Sequence, residues 1–168
     1  HVLVAYMKPR ISVDLYRRKF FFPVAKFYES LELPSFGIEY EKLANDYIKE
    51  YRNRFSECML HSQAPETLEV LNELSITQTI LTAGEQKDVE AFACFFNVKQ
   101  WVQSIDGASN IEAKGKGDRA AAHISKLKLD PKDVLLIGDT LHDQEIANLV
   151  GCKALLYSRG HVDAERLR

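Results

Sequence analysis

The chain has 168 residues, of which 46% are hydrophobic, enough for one domain or for one core with a small insertion. Its formal net charge of -2 argues against proteins that bind nucleic acids or anionic membrane surfaces. No apolar run reaches the roughly 20 residues of a membrane-spanning helix, and no signal peptide is visible.

The first sixty residues predict helices and contain little that favours strands. The segments SVDLYRRKFFF and PVAKFYESLEL carry apolar residues at three- and four-residue spacings, and Pro23 is well placed to open the second helix. A third segment, IEYEKLANDYIKEYRNRF, has its tyrosines, Leu43 and Ile48 along one face. We interpret these aromatic residues as a core between helices; the alternative is the lining of a ligand cavity.

From residue 61 onward, β-rich segments alternate with amphipathic helices. Strands are predicted near 76–81, 100–105, 133–138 and 152–157. Such alternation is typical of βα units and a parallel sheet. The sequence therefore predicts an α/β protein with a helical domain at 1–60 and an alternating core domain at 61–168.

Two aspartates four positions apart follow the most apolar predicted strand, in the segment LLIGDTLHD. Asp139 comes directly after the strand, and Asp143 lies about one helical turn further on, so both carboxylates can share a face. Paired hard oxygen ligands at the carboxyl end of a strand suit Mg²⁺, and they predict a metal site. The alternative is that Asp139 only caps the following helix. Asp106 also follows a predicted strand.

A hydroxyl and two lysines precede this carboxylate pair. Thr82 follows the strand TIL and leads through Ala83 and Gly84 into a helix, so it could offer a hydroxyl to an anion. Lys114 and Lys116 stand just before a helix in AKGKGDRA and could neutralise a phosphate. Taken alone, each is equally compatible with an ordinary strand end or a solvated loop. Together with Asp139 they predict a phosphate site with a metal.

The order of these parts resembles the haloacid dehalogenase superfamily, specifically its phosphoglycolate-phosphatase-like members with a helical cap. The second family motif is similar to Thr82 in TILTAG, and the third to Lys116 in NIEAKGKGDRA, with Lys114 as the alternate. The fourth, GDxxxD, is similar to the segment that holds Asp139 and Asp143. The segments YRRKFFFPV and SRGH also look like a subset of the family. The resemblance implies a Rossmann-like core and a small helical cap.

The first motif of that family, DxDxT or DxD, is absent from the 168 residues. It should supply the nucleophilic aspartate on a first core strand, which the resemblance places between the strands that end at Thr82 and Asp139. Because the chain begins at His1, we expect an upstream segment to carry this strand, rather than a natural loss of the motif.

The resemblance implies a Mg²⁺-dependent phosphatase that acts on a small phosphorylated metabolite through an aspartyl-phosphate. Asp139 would ligate the metal, with Asp143 as a ligand or as its support. Thr82 would hydrogen-bond a phosphoryl oxygen, and Lys116 or Lys114 would stabilise the transferring group. The helices of residues 1–60 would close over the site and select the substrate.

The main alternative is a catalytically inactive binding or regulatory module on the same fold, which the missing first motif would explain. A dehalogenase needs no Mg²⁺, so the aspartate pair disfavours it; a phosphonatase would need a cap lysine, for which Lys19 and Lys26 are the nearest candidates. A receiver-like domain is disfavoured by the long helical segment. The cysteines, Cys58, Cys94 and Cys152, lack CxxC spacing and predict a reducing, cytoplasmic setting. The sequence does not predict an oligomeric state.

Overall fold

The computed structural model describes residues 2–108 and 116–168. Its helices and strands follow one another in this order: α1 (Val2–Ala5), α2 (Val13–Lys19), α3 (Val24–Ser30), α4 (Gly37–Arg54), α5 (Ala64–Glu73), β1 (Thr79–Glu85), α6 (Gln86–Phe95), β2 (Ser104–Ala108), α7 (Lys116–Leu127), β3 (Leu135–Gly138), α8 (Leu141–Val150) and β4 (Lys153–Leu156). Short 3₁₀ turns lie at Phe55–Glu57, Lys99–Trp101 and Pro131–Asp133.

The residues fall into two compact units. The first combines the chain up to Tyr51 with Leu129–Arg168, and the second is Arg52–Lys128. This grouping differs from the border near residue 60 that the change in sequence pattern suggested. The division into a cap at 1–60 and a core at 61–168 stays a prediction.

The first unit is held by aromatic side chains. Phe20 and Phe27 are buried together with Val162 from the last residues of the chain, and their rings lie 5.1 Å apart in an edge-on contact. Tyr16 and Tyr28 pack against this cluster. The aromatic residues near the start of the chain therefore form a core, but part of that core comes from the C-terminal segment.

Helix α2 is stabilised at both ends by its own side chains. The Ser12 hydroxyl accepts a hydrogen bond from the Leu15 N–H at 3.1 Å, which satisfies one of the free donors of the first turn. Asp14 lies in the first turn, and three basic residues, Arg17, Arg18 and Lys19, lie in the last turn. These charges match the helix dipole at both ends.

The four strands form two parallel pairs, which confirms the predicted α/β class. In the first unit, β3 pairs with β4, and Gly138 stands opposite Leu156. In the second unit, β1 pairs with β2 in a regular register from Thr79 to Leu81, which then shifts before Glu85. In the described part of the chain these are two separate two-stranded sheets. A further strand between β1 and β3 stays a prediction.

The predicted strand positions need two adjustments in the second unit. The strand expected near 76–81 is Thr79–Glu85, so it starts later and continues through Thr82. The strand expected near 100–105 is Ser104–Ala108, because Lys99–Trp101 forms a 3₁₀ turn. The two strands of the first unit lie within the predicted segments.

Helix α8 packs on the β3–β4 sheet. The strands alternate between half-buried and exposed side chains, with Leu136 and Leu156 half-buried and Leu135, Ile137 and Leu155 each more than half exposed. Within the described residues, no helix combines the length and the hydropathy needed to cross a membrane.

Candidate active site

In the first unit, the polar segment after β3 is organised by Asp143. Its side chain is only 4% exposed, and its Oδ2 accepts hydrogen bonds from the N–H groups of Asp139 and Thr140, at 3.1 and 3.0 Å. The Thr140 hydroxyl donates a third at 2.8 Å. Thr140 caps α8, and Asp143 completes a reciprocal capping box three residues later.

Gly138 is required by this arrangement, because a Cβ at that position would overlap the Asp143 carboxylate. Thr140, rather than Asp139, is therefore the N-cap of α8, and Asp143 belongs to its capping box. A direct bond from Asp143 to a metal stays a prediction.

Asp139 is held by a different segment. The His161 N–H donates a hydrogen bond to Asp139 Oδ2 at 2.7 Å. Gly160 lies so close to this oxygen that a Cβ there would overlap it. The Tyr157 N–H also donates to the Gly138 carbonyl at 2.7 Å, so the chain after β4 runs beside the end of β3. Asp139 is half-buried and has no charged partner among the described residues of its unit.

Helix α2 contacts the same segment. Arg17 donates from Nε to the Gly160 carbonyl at 3.0 Å and from Nη2 to the Arg159 carbonyl at 2.9 Å. The Tyr16 hydroxyl lies 2.6 Å from His161 Nδ1, and the Phe20 ring stacks on the His161 ring with centroids 4.8 Å apart. A helix of the predicted cap is thus joined to the segment that holds Asp139.

The Tyr16 hydroxyl keeps its proton over the whole physiological range. Burial raises the pKa of Tyr16 well above its usual value, and the charges of Tyr47, Tyr28 and Asp139 raise it further. The protonated hydroxyl is therefore able to donate to His161 Nδ1 in the tautomer that leaves this nitrogen free.

The family resemblance pointed to YRRKFFFPV and SRGH without giving their residues a role. Tyr16 and His161 are 145 positions apart in the chain, so no local pattern predicts their contact. The tip of the same helical region also reaches α8, where the Phe22 ring lies 5.2 Å from the His142 ring.

In the second unit, Thr82 lies where the regular pairing of β1 with β2 is interrupted. Its Oγ1 accepts a hydrogen bond from the Gly84 N–H at 3.1 Å, and its carbonyl accepts one from Arg119 Nη1 at 3.0 Å. Because the hydroxyl is used as an acceptor, its proton can be donated elsewhere. This is compatible with the predicted contact to a phosphoryl oxygen.

Arg119 joins Thr82 to the end of β2. Its Nη2 donates to the Asp106 carbonyl at 3.0 Å and to Asp106 Oδ1 at 2.8 Å. The other oxygen, Oδ2, lies 3.3 Å from Nδ1 of the buried His123, whose Nε2 lies 2.9 Å from the Thr79 hydroxyl. The hydrogen bond from Arg119 lowers the pKa of Asp106, as does His123. The Asp106 carboxylate is therefore committed to a network that links β1, β2 and α7.

Of the two predicted lysines, only the backbone of Lys116 lies within the described residues. Lys114 lies outside the described residues, and so does the side chain of Lys116, which is the first residue of α7. Thr82 belongs to the second unit, whereas Asp139 and Asp143 belong to the first. A single cleft that these residues share stays a prediction. Among the described residues, no group of three or more His, Cys, Asp or Glu side chains could enclose a metal.

Comparisons with known proteins give the family of the chain and structures of similar fold. The profile of the family described as haloacid dehalogenase-like hydrolase matches residues 20–157. Three solved structures are similar over nearly all of the chain: a protein assigned as a haloacid dehalogenase-like hydrolase from Bacteroides fragilis, a haloacid dehalogenase-like family hydrolase from Streptococcus pneumoniae and a predicted phosphoglycolate phosphatase from Haemophilus somnus.

The first of these is 20% identical with a TM-score of 0.81, covering 98% of this chain and 80% of the other. The second is 19% identical with a TM-score of 0.75, covering 99% and 77%. The third is 19% identical with a TM-score of 0.73, covering 97% and 77%. No curated protein matches the chain significantly. The profile spans most of the sequence, so the chain belongs to the haloacid dehalogenase-like hydrolase family, and the family resemblance is confirmed.

Proposed function

We propose that this chain belongs to a Mg²⁺-dependent phosphatase that hydrolyses a small phosphate monoester. The observation that carries the proposal is the state of Asp139 at the carboxyl end of β3. One of its oxygens is fixed by the neutral His161 N–H at 2.7 Å, and no cationic side chain of the described first unit pairs with it. A carboxylate that is fixed by a neutral donor and has no competing cationic partner suits a divalent cation.

The donor set fits Mg²⁺ rather than a fully enclosed metal. Mg²⁺ typically takes one or two carboxylates and keeps several waters, so Asp139 alone is a sufficient ligand from this segment. Asp143 supports Asp139, because its Oδ2 accepts hydrogen bonds from the N–H groups of Asp139 and Thr140. When bound, the metal would reduce the charge repulsion between the phosphate and the attacking carboxylate.

The remaining roles follow from the family resemblance. Thr82 Oγ1 would donate its proton to a phosphoryl oxygen, since the Gly84 N–H already uses it as an acceptor. Lys116, or alternatively Lys114, would offset negative charge as the phosphoryl group is transferred. An aspartate from outside these 168 residues would form the aspartyl-phosphate, which water then hydrolyses. A cytoplasmic location and a small phosphorylated metabolite as the substrate also belong to this proposal.

The test is the turnover of p-nitrophenyl phosphate with and without Mg²⁺. It compares this chain and the product of the full coding sequence, each with and without Asp139→Asn. We expect the 168-residue chain to be no faster than its own Asp139→Asn variant, because losing the nucleophile removes nearly all catalysis. The full product should show Mg²⁺-dependent turnover that Asp139→Asn abolishes.

Two results would contradict this proposal. Mg²⁺-dependent turnover by the 168-residue chain that Asp139→Asn abolishes would refute a nucleophile from outside the chain. Inactivity of the full product on a broad panel of phosphate esters would favour the binding or regulatory module, which the absence of a DxD motif in these residues already suggests.

A further inference from the structure

A short segment after β4 contacts both Asp139 and helix α2. It comprises residues 158–161, which we call the strap. On one side, the His161 N–H donates to Asp139 Oδ2, and Gly160 leaves only enough room for that oxygen. The orientation of the Asp139 carboxylate therefore depends on where the strap lies.

On its other side, the strap is held by helix α2. Arg17 donates to two consecutive carbonyls of the strap, those of Arg159 and Gly160, at 2.9 and 3.0 Å. Tyr16 reaches His161 Nδ1 at 2.6 Å, and Phe20 stacks on the same ring. The strap is thus fixed by two charge-assisted bonds to its backbone, by the Tyr16 hydroxyl and by contacts of the His161 ring with the Tyr16 and Phe20 rings.

Helix α2 is in turn held by residues that follow the strap in the chain. Arg166 Nη1 donates to the carbonyls of Arg17 and Phe20, at 3.0 and 2.7 Å. Val162, the residue after the strap, is buried against Phe20 and Phe27. The helix and the end of the chain thus form one packed element that includes the strap.

We propose that Tyr16 and Arg17 are positioning residues that set the affinity of Asp139 for a divalent cation through the strap. This inference rests on the proposed metal-binding role of Asp139. A neutral backbone donor fixes one carboxylate oxygen without neutralising the charge, which leaves the other oxygen oriented for the metal. When α2 loses its contacts with the strap, the carboxylate loses this orientation, and the cation must order it on binding.

The same contacts couple the cation to the predicted cap. Helix α2 lies within the residues expected to select the substrate, and it reaches Asp139 through only two hydrogen-bonded steps. A bound cation should therefore stabilise the docked position of α2, because an effect of docking on cation affinity implies the reverse effect of equal size.

The experiment measures the binding of Mn²⁺, as a paramagnetic substitute for Mg²⁺, from the EPR signal of the free ion. Wild type and Asp139→Asn define the part of the binding that depends on Asp139. Tyr16→Phe and Arg17→Ala remove the contacts between α2 and the strap. Arg18→Ala and Tyr6→Phe are matched controls: Arg18 is an exposed neighbour of Arg17, and the Tyr6 hydroxyl bonds Asp46 at 3.0 Å in the same unit.

We expect Tyr16→Phe and Arg17→Ala to weaken the Asp139-dependent binding of Mn²⁺ by about tenfold, the lower end of typical effects from residues that orient a metal ligand. The two controls should bind within about twofold of wild type. Tyr6→Phe also removes a hydrogen bond from the first unit. If the tyrosine variants only destabilised the fold, Tm would fall in both of them and the Mn²⁺ affinity would change in neither.

Gly160→Ala gives an independent test if Arg17→Ala fails to fold. Gly160 has no positive φ, so the added methyl group acts through its overlap with the Asp139 side chain, at Oδ2, Cβ and Cγ, and it should weaken Mn²⁺ binding at least as much. If Gly160→Ala, Tyr16→Phe and Arg17→Ala all keep normal Mn²⁺ affinity while Asp139→Asn loses it, the proposed role of the strap is overturned and the proposed function is not. Equal binding by wild type and Asp139→Asn overturns the proposed function as well.

Discussion

The two units place an aspartate carboxylate in opposite electrostatic settings. Asp139, after β3, is held by a neutral backbone N–H from the strap. Asp106, within β2, is held by the guanidinium of Arg119 and by His123. Among the described residues of its unit, the first carboxylate has no cationic partner, whereas the second is paired with a guanidinium. The same side chain is therefore part of a structural ion pair in the second unit and is held only by a backbone donor in the first.

The largest expected effect comes from Asp139→Asn, and Asp106→Asn is its counterpart in the other unit. In the product of the full coding sequence, Asp139→Asn should lower Mg²⁺-dependent turnover of p-nitrophenyl phosphate by about a hundredfold or more, since even residues that only orient a ligand cost 10- to 100-fold. Asp106→Asn should leave the apparent affinity for Mg²⁺ within about threefold, because the Asp106 carboxylate is already paired with Arg119. Equal losses of Mg²⁺ affinity in both variants would contradict the distinction between the two sites.

Removal of the guanidinium should have the largest effect on stability. Arg119→Met loses the bonds to the Thr82 and Asp106 carbonyls and leaves the Asp106 carboxylate without its closest cation. The free energy of unfolding, from urea denaturation, should fall by about 3 kcal/mol. Lys126→Met, at an exposed position of the same helix, should change it by less than about 0.5 kcal/mol. A loss below 1 kcal/mol for Arg119→Met would show that this network is not structural.

A methyl group at Gly138 would test the organisation of the first site. Gly138→Ala forces the Asp143 carboxylate away from the N–H groups that it accepts from, so we expect a loss of about 2 kcal/mol in unfolding free energy. Gly84→Ala is the control in the second unit, where the nearest atom is the end of the Val89 side chain at 3.1 Å. Its loss should be smaller, because that side chain is free to adjust.

The smallest effect is a dependence of stability on pH. The hydrogen bond from Arg119 lowers the pKa of Asp106 in the folded state, so this aspartate stabilises the fold fully above its unfolded pKa of about 3.9. This stabilisation by Asp106 is lost as the pH falls below the unfolded pKa and through the lower pKa of Asp106 in the folded state. The difference in Tm between wild type and Asp106→Asn should therefore shrink as the pH falls below about 4. In an Arg119→Met background this change with pH should be much weaker.

The sequence predicted the class of fold because apolar strands alternate with helices whose ends carry clear signals. Gly151, for example, ends α8 with the left-handed backbone that glycine favours. The pattern could not place the strand starts in the second unit, where Lys99–Trp101 forms a turn in a segment that also suits a strand. Strand propensity does not separate these two outcomes.

The candidate site was predictable only where its residues lie close together in the sequence. Asp139 directly follows a strand, and Asp143 lies four residues later in the first turn of α8, so both stand out in a linear sequence. The contacts of Tyr16 and Arg17 with the strap join residues more than 140 positions apart, and only the tertiary structure brings them together. The role of Asp106 was equally hidden, because its partner Arg119 lies in the next helix, 13 residues on.

The first unit is built from both ends of the chain, which has a consequence for folding during synthesis. The second unit is continuous, and its paired strands and helices can form before residue 129 is made. The core of the first unit forms only after residue 162 has been made, because Val162 completes the cluster around Phe20 and Phe27. On the ribosome, helices α2 and α3 therefore remain without this partner while the second unit is synthesised, and truncation before Val162 should leave their core incomplete.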